Sequence, residues 1–257
     1  MATFALKLLL APAFVVGASL CVRRWGPRIG GTIGGLPVIA GPILLVLAVT
    51  HTHRFTATAA DAILLGLVSL TAFALVYAWG CARLRWWQLL PIAWGAFLGA
   101  TAVFNQVSVS VPVGFCLACL ALTAALQLIP SRASGTPLLS MPRWDLPLRA
   151  VCAAAMVTAL TGVSGSLGAH LSGLLAAFPI ITSILAAFTQ AHSGALDTRR
   201  LLHGMVRGFF AYATFCAVVA ATIRPLGTAP AFLIATPATL LVGVLTLWHG
   251  SRASRAG

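Results

Sequence analysis

The residues that could do chemistry are few. Arg207 is set well into an apolar run, about one turn past His203. A charge at that depth costs a few kcal/mol on insertion scales, so it predicts either contact with an anionic group or a side chain reaching back to the interface beside His203 and Arg200. Asp61 lies early in another apolar run, near His53 and Arg54, and His170 begins a third. These two are candidates for a proton or polar relay, with an interfacial salt bridge to Arg54 or His53 as the plainer role of Asp61. Asp197, just before Thr198, reads as a helix N-cap. The chain has three Asp and no Glu, too few for a paired-carboxylate design. It contains no Ser–His–Asp spacing, Gly-rich phosphate loop or HExxH motif. His51, His53 and His170 fall on one side of the expected topology and His192 and His203 on the other, so no zinc site is expected. The expectation is therefore a protein that is not an enzyme and takes no cofactor or metal.

A second set of residues disturbs the backbone. Pro42 and Pro179 each fall near the middle of an apolar run, and Gly34, Gly35, Pro37 and Gly41 weaken the first of these runs further. Gly173 precedes Pro179 by one to two turns. A proline removes a backbone donor and clashes with the preceding turn. In lipid the freed carbonyls must find partners, so such breaks are tolerated where they line protein or a cavity. Paired interruptions in corresponding helices point to a transporter's binding site. Gly34, Gly35, Pro37, Gly41, Pro42, Gly173, Pro179 and Arg207 are thus the candidate substrate-binding residues. Close helix packing is the alternative role for the glycines.

The elements that must position these residues follow from composition. Of 257 residues, 60% are hydrophobic and 7% charged, with a mean hydropathy of +1.01. An ordinary soluble domain is roughly a quarter charged. The chain lacks the polar surface to cover a soluble core, which leaves an all-α, polytopic membrane bundle. The net charge of +13 sits at the ends of apolar runs, not in a patch, so nucleic acid is not an expected partner. The runs are 3–22, 33–50, 57–80, 87–104, 107–129, 148–165, 170–189, 203–223 and 228–249, nine in all. The first is read as a retained helix, because Arg23, Arg24 and Arg28 follow it where a cleaved signal would carry its charge in front. Arg23, Arg24, Arg28, Arg83, Arg85, Arg132, Arg143, Arg149, Arg199, Arg200, Arg252 and Arg255 fall on one side, against Arg54 and Arg224 on the other. That asymmetry predicts an N-terminus outside and a C-terminus in the cytoplasm. Six of the seven tryptophans fall near the inner interface, and Trp94 alone lies within a run. The six cysteines suggest no disulfide framework. The chain divides into a first membrane half of five spans (1–129), a cytoplasmic linker (130–147) and a second half of four spans (148–257).

The halves repeat. Gly35, Leu36, Pro42, Ile43, Thr50 and His53 match Gly173, Leu174, Pro179, Ile180, Thr189 and His192, and Gly66 matches Gly204, at offsets of 137 to 139. Spans 1–3 thus resemble spans 6–8. An odd number of spans separates the copies, so they run in opposite senses, the inverted-repeat plan of many secondary transporters. The order Gly173, Leu174, Phe178, Pro179 and His192, with Gly204 and Tyr212 beyond, resembles the GlpM-type small bacterial inner-membrane proteins, departing at Thr189–Gln190. That resemblance implies a bacterial inner-membrane location and a link to exopolysaccharide production. The expected function is transport of a small anionic or neutral molecule or a lipid, with the bilayer as partner. The alternative is a non-transporting scaffold or accessory subunit for envelope assembly. A homo-oligomer is compatible with this composition.

Overall fold

The computed structural model describes residues 2–37, 40–107, 109–130, 145–164 and 177–253. Every regular element among them is an α-helix: α1 (Ala2–Gly34), α2 (Ala40–Thr50), α3 (His53–Gly80), α4 (Trp86–Phe104), α5 (Val111–Leu128), α6 (Asp145–Ser164), α7 (Ile180–Leu226) and α8 (Thr228–Ala253). Among the described residues five helices, α3, α4, α5, α7 and the Thr228–Trp248 part of α8, are long and apolar enough to cross a membrane. They mark the chain as a helical membrane protein. Leu98, Val103, Leu120, Leu233, Leu240 and Val244 on α4, α5 and α8 are exposed. Such a surface is unsuited to water and suited to lipid tails. α3 and α7 are central, burying Phe73, Tyr77, Leu202, Met205 and Val219.

α7 cannot be one crossing. Its 47 residues would run about 70 Å, against a hydrocarbon core of about 30 Å. It is two helices joined at Gly194 (φ 78°, ψ −174°). Gly26 within α1 (φ 84°, ψ 167°) and Gly227 between α7 and α8 (φ 83°, ψ 179°) adopt the same conformation. Only glycine occupies that region readily, because a Cβ would clash there. At each, one residue reverses the chain. A Cβ at Gly30 would collide with Val22, on the other side of Gly26. Leu185 and Met205, on either side of Gly194, both lie against Gly34. Across Gly227 the Phe215 and Phe232 rings sit 5.8 Å apart.

The helix that follows Gly26 packs in parallel on the second part of α7. Methyl groups added at Gly31 and Gly35 would collide with the Leu201 and Met205 carbonyls, and at Gly204 and Gly208 with the Arg28 and Thr32 carbonyls. Two Gly-x-x-x-Gly pairs therefore face one another. Without Cβ atoms the backbones approach closely enough for dispersion and weak Cα–H···O contacts, which drive helix association where lipid removes the hydrophobic incentive.

Candidate functional site

The interruption expected near Pro42 lies on its N-terminal side, and the stretch before Ala177, which one at Pro179 would have to interrupt, lies outside the described residues. α1 ends at Gly34 and Gly35–Pro37 form a turn and bends, after which helix resumes at Ala40 with Pro42 in its first turn. Ala177–Pro179 are non-helical, and α7 starts at Ile180 with the buried Pro179 as N-cap. A proline early in a helix loses no hydrogen bond, because the first amides have no intrahelical acceptor. Gly34 and Pro37 are half-buried and Gly35 is buried. Gly41 is half-buried and faces the Phe215 ring. Gly173 and His170 lie outside the described residues.

The non-helical segment before α7 is seated on α4. Phe178 meets Phe97 edge-on, with centroids 5.4 Å apart, and Trp94 at 6.0 Å. One turn on, the Trp94 Nε1–H donates to Ser183 Oγ at 2.9 Å. Further along, Tyr77 donates its hydroxyl to Gln190 Oε1 at 2.8 Å. The Gln190 amide donates in turn to the Cys81 and Leu84 carbonyls at 3.1 and 2.8 Å. Arg199 Nε donates to the Ala78 carbonyl at 2.9 Å. The reversal at Gly194 is thereby tied to the C-terminal end of α3, whose last carbonyls lack intrahelical donors. Cys81, just beyond α3, is buried; burial pushes its thiol up from the ordinary range, with Arg199 opposing, so it stays protonated and unreactive.

A buried ion-pair network lies where α1, α6 and α7 meet. Asp145 and Arg149 are both fully buried, and Arg149 Nε donates to Asp145 Oδ2 at 2.8 Å. Arg23 approaches the same oxygen at 3.1 Å, and His192 Nδ1 stands 3.8 Å from Oδ1. Arg149 also donates to Ser19 Oγ at 3.2 Å and stacks 4.9 Å above the Phe188 ring. The spacing of four residues repeats in register. Asp145, Arg149 and Ala153 on α6 face Arg23, Ser19 and Val15 on α1, and His192, Phe188 and Ile184 on α7. Asp145 carries no role in the sequence reading, where its Pro-rich surroundings make it linker. The available signal is that a chain with three carboxylates places one of them four residues before an arginine.

Other expectations change. Asp61 is half-buried and makes no ion pair with Arg54 or His53; its Oδ1 lies against Gly114 on α5. Arg54 and His53 sit two turns away, more than 10 Å along the axis, and His53 Nε2 instead meets Thr228 Oγ1 at 3.2 Å. Asp197 is not an N-cap: it lies inside α7, three residues past Gly194, and its Oδ1 accepts from Arg200 at 2.9 Å. Arg207 is half-buried on α7. Among the described residues no three His, Cys, Asp or Glu stand together as a metal site. Compared with known protein families, curated proteins and solved structures, the chain matches none.

Proposed function

We propose that the protein is a bacterial inner-membrane transporter of a small anionic or neutral molecule or a lipid, working by alternating access between two inverted halves. The carrying observation is non-helical backbone beside both prolines, at Gly35–Pro37 and at Ala177–Pro179. Broken helices in corresponding positions leave backbone groups free to meet a substrate near mid-membrane. The packing supports the inversion. The helix leading into the first break runs parallel to the second part of α7. The first part of α7 runs antiparallel to α4, which is antiparallel to α3, and so it is parallel to α3. A two-fold relation matching spans 2 and 3 to spans 7 and 8 exchanges these two pairs. The reversals at Gly26, Gly194 and Gly227 fit nine crossings. The Ser69, Thr101 and Thr189 hydroxyls are buried without a partner among the described residues, as befits an interior that receives polar guests. The resemblance to GlpM-type proteins fits the same membrane.

The test is labelling of single cysteines at Leu36 and Phe178, in a chain whose six native cysteines are replaced, with a membrane-impermeant thiol reagent. Alternating access predicts that both react from either side of the membrane, and that crosslinking one side shut abolishes reaction from that side only. Cysteines that react from neither side, with no solute flux in reconstituted vesicles, would make the protein a scaffold for envelope assembly.

A further inference from the structure

Ser and Thr hydroxyls inside helices commonly donate to the carbonyl four residues earlier. Ser19, Thr71, Thr214, Thr222 and Thr239 all do so here. Ser69 and Thr101 do not. Ser69 is 0% exposed and Thr101 3%, and both hydroxyls are buried with no hydrogen-bond partner. The packing of α3 on α4 brings the two to one layer. Leu89 of α4 lies against Gly80 of α3, and Phe104 of α4 packs on Ala62 and Leu65 of α3. Ser69 is one turn past Leu65 and Thr101 one turn before Phe104, so in this antiparallel pair they share a height to within about one residue. Ser69 also stands two turns past Ala62 and three before Gly80, and so points to the same side, towards α4. Thr101 ends the buried stripe of α4, Leu89, Ala93, Phe97 and Thr101. It lies two turns past Trp94, whose indole reaches Ser183 of α7, and so faces the groove between α3 and the start of α7. The next layer is aromatic: Phe73 of α3 and Phe97 of α4 are fully buried, and Phe97 meets Phe178 edge-on.

We infer that Ser69 and Thr101 bind an uncharged, hydrogen-bonding group of the transported molecule, beside the non-helical Ala177–Pro179 segment where α7 starts. This rests on the transport reading and narrows its substrate to a neutral one. Each hydroxyl can donate one hydrogen bond and accept others, so the pair matches a hydroxyl or amide that does both. Two orphaned hydroxyls cost stability in an apolar interior, and a guest that supplies the missing bonds recovers that cost on binding. No charged residue lies on the facing stripes, Ala62, Leu65, Ser69 and Phe73 on α3 and Leu89, Ala93, Phe97 and Thr101 on α4. An ion held there would be desolvated without a counter-charge from either stripe. The aromatic layer of Phe73, Phe97 and Phe178 offers an apolar wall to the rest of the molecule, the composition of a small-molecule site with few convergent polar groups. Thr189, also buried and unpartnered, adjoins Gln190 at the C-terminal end of α3 and belongs to a different level.

The test uses the full chain in membranes. Ser69→Cys and Thr101→Cys are made singly with the native cysteines replaced, and a third chain keeps only the native Cys216, fully buried on α7. Each is treated with methyl methanethiosulfonate, which is small and uncharged, and in parallel with its trimethylammonium and sulfonate relatives. A thiol reacts as the thiolate, which forms where polar guests are received and is suppressed in packed apolar surroundings. Ser69→Cys and Thr101→Cys should react with the neutral reagent about tenfold or more faster than Cys216, and about tenfold or more faster than with either charged one. Thr101→Val keeps the shape and removes the hydroxyl, so its melting temperature in detergent should hold or rise. A fall in that temperature, or reaction no faster than that of Cys216 in both correctly folded cysteine variants, overturns the site. Equal rates with neutral and charged reagents overturn its restriction to neutral guests. If Leu36→Cys and Phe178→Cys react from either side while these two stay unreactive, transport stands and this site falls. If these two react and Leu36→Cys and Phe178→Cys do not, the site stands and alternating access falls.

Discussion

Asp145 takes two arginines on one oxygen while fully buried, so most of its environment is positive charge awaiting its single negative one. Removing that charge takes from the buried Arg149 the carboxylate to which its Nε donates, the costly way to break a buried pair. Asp145→Asn should therefore lose about 3–5 kcal/mol of stability, visible as a large fall in melting temperature in detergent. Replacing both partners, Asp145→Leu with Arg149→Met, should recover much of it, because the desolvation cost of both groups disappears together. If the single and double variants melt alike, the network is not what holds α6 to α1. At this scale the sequence was readable where a residue's type restricts the backbone. Pro42 and Pro179 sit beside non-helical backbone because the constraint is local. Asp145 was not readable, because its significance depends on Arg23, 122 residues away, and Gln190 likewise acts on carbonyls of a distant helix end.

Among elements, the facing glycines set how closely the helix after Gly26 can lie on α7. A methyl at Gly208 would enter the Thr32 carbonyl and crowd Gly35. Both obstacles are backbone, which cannot rotate aside. Gly208→Ala should cost about 1–3 kcal/mol through overpacking. Gly95→Ala on α4, where a Cβ meets nothing within 4 Å, should instead gain about 0.5–1 kcal/mol from helix propensity. Opposite shifts of melting temperature for these two variants would verify the interface, and shifts of the same sign would count against it. The long helices were legible from hydropathy, but the connections at Gly26 and Gly194 were not. Stretches such as Arg23–Arg28 and Gln190–Leu202 are polar, and polarity resembles a loop. In the structure nearly all of those residues are helical, since charged side chains at the bilayer edge are solvated whatever the backbone does, and one glycine suffices to turn it.

For the whole molecule, the distribution of arginine, twelve on one expected side against two, predicts an orientation through the positive-inside rule. A reporter fused at the C-terminus should be active in the cytoplasm and one at the N-terminus outside it. Both ends on one side would remove a crossing and, with it, the inverted relation of the halves. The single-glycine reversals carry a mechanical consequence. The part of α7 from Ala195 to Leu226 is about 48 Å long, and at its base one peptide joint stands between it and the preceding helix. A rotation of 10° at that joint, as an order-of-magnitude figure, sweeps the far end through about 8 Å. There is no connecting loop to absorb such a rotation, and at Gly204 and Gly208, about 15 and 21 Å from the joint, the same rotation shifts the backbone by about 3–4 Å. The segment after Gly26, in backbone contact with Gly204 and Gly208, therefore has to move with it. Whatever moves that segment is amplified at Gly227 on the opposite face, and α8, joined there by another single residue, has to follow.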